Sequence, residues 1–193
     1  MARGERSALT DVLARAFRDN PLNRAVIGGS ARLRVRSNRA GMRATLAAAS
    51  GGCRVLVAGD AGGRPAGGLI AMAPGSWPLP PPPVFEQLRV LLGQGPSTAR
   101  RWGQAFDALQ AVHPAEPHWY LALLGVAPEE QGAGRGAGLV ADWLEEVDAA
   151  SLPAYLETDR AELVHFYGRF GFAPIGSQRL FGVEVRLLWR PAA

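Results

Sequence analysis

Trp119-Tyr120-Leu121-Ala122-Leu123-Leu124-Gly125-Val126 runs into Ala127-Pro128-Glu129-Glu130 and then into Gln131-Gly132-Ala133-Gly134-Arg135-Gly136-Ala137-Gly138-Leu139. The first eight residues are an apolar run and read as a buried strand. Pro128 ends it, because proline has no N–H to give a ladder. Four glycines then alternate with other residues over 132–138. Behind them Leu139, Val140, Trp143, Leu144 and Val147 fall on one helical face, and Asp142, Glu145, Glu146 and Asp148 on the other. That is a helix with one side for a core. Strand, glycine loop and helix start together make an anion cradle. Glycines let backbone approach a ligand, and the free N–H groups of a helix start point at it. The predicted ligand is a phosphate or pyrophosphate.

Three glycine-loop chemistries compete for this stretch. A nucleotide-triphosphate loop ends in Gly-Lys-Ser/Thr, and the chain contains no lysine. A dinucleotide fingerprint, G-x-G-x-x-G/A, is satisfied in bare form by residues 132–137, with Glu157 in place for a ribose-binding acid. Residues 127–131, however, separate the strand from the first glycine, and too little chain follows Glu157 for the remaining βα units. The third pattern, Gln/Arg-x-x-Gly-x-Gly/Ala, is met in register by Gln131, Gly134 and Gly136.

Outward from this centre, the 193 residues fit one domain, 1–193. A chain of this length buries roughly 70% of its unfolded surface, so its core needs no staples. No apolar run reaches membrane-spanning length, and Met1-Ala2-Arg3-Gly4-Glu5-Arg6 leads into no signal-type segment. A lone cysteine, Cys53, fits a reducing cytoplasm and a small core position in a strand. The sequence pI is about 10.2, and every one of the 21 basic residues is arginine. Residues 1–54 hold eleven of them against Glu5, Asp11 and Asp19. They are spread along helices without interleaved aromatics or a nucleic-acid motif. That favours solvated helix faces, or a basic rim for a polyanionic cofactor, over DNA or RNA binding. Three scattered histidines and one cysteine offer no metal-ligand spacing.

In chain order, Ser7 caps a first helix carrying Leu9, Val12, Leu13, Ala16 and Phe17 on one face. Asn20-Pro21 ends it, residues 19–30 are a loop, and 31–49 form a second helix. Residues 53–58 and 65–73 make a hairpin around the turn 59–63. The proline-rich stretch 74–83 excludes regular structure. Residues 84–92 and 97–112 are two helices. After the central strand and its helix come a strand at 154–158, a helix at 161–169 stopped by Gly171, and strands at 172–176 and 180–189. The order predicts a mixed α/β (α+β) fold with a central twisted mixed sheet flanked by helices.

A second anchor follows the glycine loop. Tyr155-Leu156-Glu157-Thr158 precedes Phe166-Tyr167-Gly168-Arg169-Phe170-Gly171-Phe172. With Gln131, Gly134 and Gly136, these residues resemble the GCN5-related N-acetyltransferase (GNAT) family. The likeness is strongest over about 114–175. At Ala16-Phe17-Arg18-Asp19-Asn20-Pro21, Glu116-Pro117-His118-Trp119-Tyr120-Leu121-Ala122 and 153–172 it leans toward members that acetylate aminonucleoside antibiotics. The resemblance implies acetyl-CoA (coenzyme A) as co-substrate, no metal, and direct transfer to the amine of a small molecule, possibly an antibiotic-like one. A homodimer is compatible with it, and a membrane partner is not implied. It places the diphosphate on the amides of Gln131, Gly132, Gly134, Arg135, Gly136 and Ala137, with the Arg135 guanidinium free to reach a phosphate. It places pantetheine along the edge of Leu124 and Val126 as an added strand, with an N–H near Val126 for the oxyanion. Tyr167 is the implied proton donor to the leaving thiolate.

For the base that frees the amine, Glu157 is the candidate by position, and it reads equally as a structural carboxylate. His118 and His165 are alternatives that read better as packing or surface residues. Trp119, Tyr120, Trp143 and Trp189 read as core. Two departures from the family pattern stand out. There is no room for a strand before the first helix. Leu163 stands where many relatives place a cofactor-binding asparagine. They keep a second use of the same fold open: another acyl-CoA, another acyl transfer, or a cofactor-binding module.

Overall fold

The structure is a computed structural model that describes residues 3–49 and 51–193. Six strands form one sheet in the order β1-β2-β3-β4-β6-β5. They are β1 (Cys53–Gly59), β2 (Pro65–Met72), β3 (Trp119–Val126), β4 (Ala154–Thr158), β5 (Ala173–Leu180) and β6 (Val183–Arg190). All neighbours are antiparallel except β3 and β4. Parallel partners need a crossover, and α6 (Arg135–Ala149) supplies it. The remaining helices are α1 (Arg3–Ala16), α2 (Pro21–Ile27), α3 (Ala31–Ala48), α4 (Val84–Gln94), α5 (Pro96–Gln110) and α7 (Ala161–Gly168). Among the described residues the first strand of the sheet is β1, which opens at Cys53.

Alternation in the strands sends successive side chains to opposite faces. On one face Leu69, Ala71, Trp119, Leu121 and Leu156 meet the buried stripe of α6, namely Leu139, Val140, Trp143, Leu144 and Val147, together with Tyr167 of α7. On the other face Ile70 packs against Leu9 and Leu13 of α1 and Leu46 of α3. Here α1 comes very close to β3. A Cβ at Gly125 would lie 2.9 Å from Leu13, 3.0 Å from Phe17 and 3.1 Å from Ala16. Only glycine leaves that space. Farther along the same face Met72, Tyr120, Tyr155 and Leu187 form a cluster with Trp77 and Trp189 packed against it.

The expected elements are present with three corrections. The first helix already begins at Arg3, so Ser7 lies inside α1 and does not cap it. Residues 19–30 are not all loop, because α2 occupies Pro21–Ile27. Proline at the first helical position suits a helix start as well as it ends one. The helix start is held by Asp159, whose Oδ2 accepts the Leu22 N–H at 2.7 Å. The strand expected at 172–176 extends to Leu180, and the next begins at Val183. Phe181 (φ 51°) and Gly182 (φ 82°) make the turn between them, and two positive φ values are what a two-residue hairpin turn needs.

Candidate active site

β3 and β4 are paired only over Trp119–Leu121 and Ala154–Leu156. Beyond Leu121 they part, while β3 stays bonded to β2 as far as Val126. A register shift in β3 falls between Leu121 and Leu123, opposite Ile70 and Ala71, and such bulges re-aim a strand. The direction of the free edge follows from neighbouring bonds. Ala127 donates its N–H to Ala66 on the β2 side at 2.8 Å. Val126 therefore points its N–H and C=O the other way, and so does Leu124 two residues back. The side chain of Gln131 donates to the Val126 carbonyl from that side at 3.0 Å. The middle of the sheet thus contains an open strand edge, with Gln131 marking its far end.

The glycine loop begins at that end. Gly134 is the N-cap of α6, in the left-handed region at φ 78°, and Gly132 lies at φ 82°. Both conformations suit glycine and strain other residues. Gly138 makes the first bond of the helix, to the Gly134 carbonyl. Among the described residues the six amides of 132–137 donate to no backbone or side-chain acceptor. A run of free N–H groups at a helix start has the donors and the dipole direction that anions favour. The expectation that the Arg135 side chain is free to reach a phosphate is corrected. Its Nε and Nη2 donate to Glu130 Oε2 at 2.9 and 2.6 Å, and its Nη1 donates to the Gly59 carbonyl at 2.7 Å. It ties the loop to the β1–β2 hairpin instead.

Tyr167, on α7, is buried in the α6-side core between Phe166 and Phe172. Burial pushes its phenol pKa above the ordinary value. Its hydroxyl has no hydrogen-bond partner among the described residues, so the ring is fixed by packing and the O–H is uncommitted. Leu163 packs against the same core.

Glu157 lies on the opposite face in an aromatic nest. Tyr120 donates its hydroxyl to Glu157 Oε2 at 2.6 Å. Glu157 Oε1 has no hydrogen bond and faces His113 Nδ1, also unbonded, at 3.9 Å. The Glu157 side chain is 8% exposed, so both carboxylate oxygens are turned into protein. His113 stacks on Trp77, and its Nε2 lies 3.1 Å from His118 Nε2. His118 must donate Nδ1–H to the Glu116 carbonyl, at 2.6 Å, because a carbonyl only accepts. A neutral His118 therefore presents a lone pair at Nε2 and accepts a hydrogen bond there from the Nε2–H of His113. His113 Nδ1 then carries a lone pair toward Glu157, and one added proton would satisfy both orphaned atoms. Burial lowers the His118 pKa. Burial, followed by the nearby charge of Glu157, raises those of Tyr120 and Tyr155. His113, absent from the sequence-based candidates, is thus brought to Glu157, as is Tyr120, which reads as core. His165 is exposed on α7 and away from this nest.

A cleft of about 730 Å³ opens at the parting of β3 and β4. Gln131 and Pro128 line one side, Asn20 and Pro21 another, and Asp159 and Arg160 its floor beside β4. Asp159 is a further residue that sequence reasoning passed over. Burial raises its carboxyl pKa, partly offset by the Leu22 N–H it accepts.

The chain belongs to the acetyltransferase (GNAT) family, which it matches over residues 55–172. The protein is an acetyltransferase of that family, whose co-substrate is acetyl-CoA. Solved structures share the fold. The histone acetyltransferase HPA2 and related acetyltransferase of Corynebacterium glutamicum is 22% identical, with a TM-score of 0.74 covering 100% of this chain and 94% of that one. The arylalkylamine N-acetyltransferase 2 of Aedes aegypti is 14% identical, with a TM-score of 0.61 covering 99% and 96%. An N-acetyltransferase of Staphylococcus aureus is 13% identical, with a TM-score of 0.59 covering 96% and 95%.

Proposed function

We propose that this enzyme acetylates the amine of a small molecule by direct transfer from acetyl-CoA. The observation that carries the reading is the convergence of three open features on one end of the sheet: the unpaired edge of Leu124 and Val126, the six free amides of 132–137, and the cleft between them and α2. Acetyl-CoA, when bound, supplies the acetyl group as an activated thioester. The chain's residues fit it. Gly132, Gly134, Gly136 and Ala137 offer backbone N–H groups for the diphosphate without a guanidinium. Leu124 and Val126 offer a strand edge to an amide-bearing chain. The Val126 N–H is directed to the side where carbonyl charge would develop. Tyr167, kept protonated by burial, has a hydroxyl free to give its proton to sulfur. Glu157, the base candidate by position, has one oxygen taken by Tyr120 and the other facing His113, and it does not line the cleft.

The likeness of Ala16-Phe17-Arg18-Asp19-Asn20-Pro21 and 153–172 to puromycin N-acetyltransferase makes an aminonucleoside or other antibiotic-like amine the specific acceptor class. In this structure the first of these stretches and Asp159 line the same cleft. The test is release of free thiol from acetyl-CoA in the presence of an amine panel, with mass spectrometry of the product. Thiol release that depends on a panel amine, with that amine gaining one acetyl group, supports the reading. Silence across the panel, with acetyl-CoA bound, would remove it and favour the family fold in another acyl-transfer role.

A further inference from the structure

Asp159 is the first residue after β4, at the mouth of the split from β3, and it lines the cleft. Three other acids line the same space, and each is neutralised nearby. Asp19 is bonded by Arg18 and Arg34, Glu162 by Arg160, and Glu184 by Arg186. Asp159 has no such partner. Its Oδ2 takes the Leu22 N–H, its own backbone N–H also bears on the carboxylate, and the one side-chain donor to Oδ1 is Asn20 Nδ2 at 3.5 Å, the outer limit of a hydrogen bond. One carboxylate oxygen in the cleft therefore has accepting capacity left. The groups around it are Asn20 and Leu22 of the α2 start, Arg15, Arg18 and Asp19 from the end of α1, Arg160 and Glu162 of α7, and Glu184 and Arg186 of the β5–β6 hairpin. The arginines in that set each have a carboxylate of their own.

We propose that Asp159 receives the acceptor's ammonium in this cleft and takes up its proton, so that the enzyme selects small cationic amines. This rests on the functional reading above. At neutral pH an alkylamine carries a proton and cannot attack a carbonyl carbon. The step is R–NH3⁺ plus Asp159 carboxylate giving R–NH2 plus Asp159 carboxylic acid. No other reactant is needed, and the amine keeps the electron pair with which it attacks. Burial of Asp159 increases its affinity for that proton. Glu157, two residues earlier on the strand, has one oxygen taken by Tyr120 and the other turned to His113, so it is a holder of the nest. The paired Arg–acid rim around Asp159 suits an acceptor whose remaining surface is polar.

The test uses the full chain, acetyl-CoA, and puromycin, tyramine, spermidine and kanamycin as acceptors. For the best acceptor, Asp159→Asn should lower kcat/KM by roughly 10²- to 10⁴-fold, with KM for acetyl-CoA changed by less than about threefold. Asn keeps an oxygen for the Leu22 N–H, so melting should be at or above wild type. Asp159→Glu, which restores a carboxylate, should recover part of the loss. An Asp159→Asn enzyme with wild-type kcat/KM would overturn the assignment while leaving amine acetylation standing. Failure of the wild-type enzyme to acetylate any of the four amines would overturn the functional reading, and the assignment with it. If Asp159→Asn does not fold, Asp159→Glu decides: a reduced kcat/KM supports the assignment and a wild-type value overturns it.

Discussion

Replacing Gly134 by alanine tests the amide cradle at its most constrained point. Gly134 caps α6 at φ 78°, where an L-residue costs about 1–2 kcal/mol. A Cβ there would meet nothing within 4 Å, so the cost is backbone strain without a clash. Alanine also reduces the freedom of the unfolded chain, which returns about 0.4–1 kcal/mol. The net loss is about 1 kcal/mol, or a melting temperature lower by about 2–4 °C in a chain of this size. The effect on binding should be larger. A strained cap relieves itself by rotating the peptide between residues 134 and 135, which withdraws one amide from the cradle. A hydrogen bond to a charged group contributes about 1.5–3 kcal/mol, so KM for acetyl-CoA should rise about 10- to 150-fold. Gly134→Asn is the control, since asparagine tolerates left-handed backbone and should recover part of both effects. Calorimetric melting and thiol release against acetyl-CoA concentration measure the two. A Gly134→Ala enzyme with unchanged melting and unchanged KM would show that this amide holds nothing.

Tyr167→Phe should cut turnover roughly 10²- to 10⁴-fold while calorimetric binding of acetyl-CoA stays at the wild-type level; equal turnover would refute the proton donor. Gly125→Ala should destabilise by about 1–3 kcal/mol through overpacking against Leu13, Phe17 and Ala16, and a melting temperature at or above wild type would contradict the close approach of α1. Tyr120→Phe should cost about 1–3 kcal/mol by leaving a buried Glu157 oxygen unpaired, and denaturant titration checks it. Asp159→Asn carries a pH signature. Because the folded carboxyl pKa is raised, the folded state binds the proton more tightly than the unfolded chain. Wild-type stability therefore falls as pH rises from about 4, the unfolded value, through the folded value. The variant lacks that fall, so its melting advantage should grow between pH 4 and neutrality, and an advantage that shrinks would reverse the sign of the argument.

Much of this was readable from local pattern. The run Trp119–Val126, the spaced glycines and the stripe Leu139 to Val147 each announce their element by periodicity and punctuation, and together they place the strand, the loop and the start of α6. The Phe181-Gly182 turn was hidden because phenylalanine rarely adopts positive φ, so the strand ends around it read wrongly. The α2 helix was hidden for a different reason. Its first N–H, that of Leu22, is capped by Asp159, far along the chain, and no local window contains both. The same distance conceals the Glu157–His113–Tyr120 nest and the tether from Arg135 to the Gly59 carbonyl. Local signals describe elements. Sites built by the return of the chain depend on register and packing that no single stretch encodes.

An unbonded strand margin at the rim of a sheet is a hazard, because any extended chain can zip onto it. Here the bare margin of Leu124 and Val126 is an internal slot, walled by β4 on one flank and closed at the end by Gln131. Turned inward in this way, an edge that elsewhere leads to aggregation is kept from meeting the sheet of another molecule.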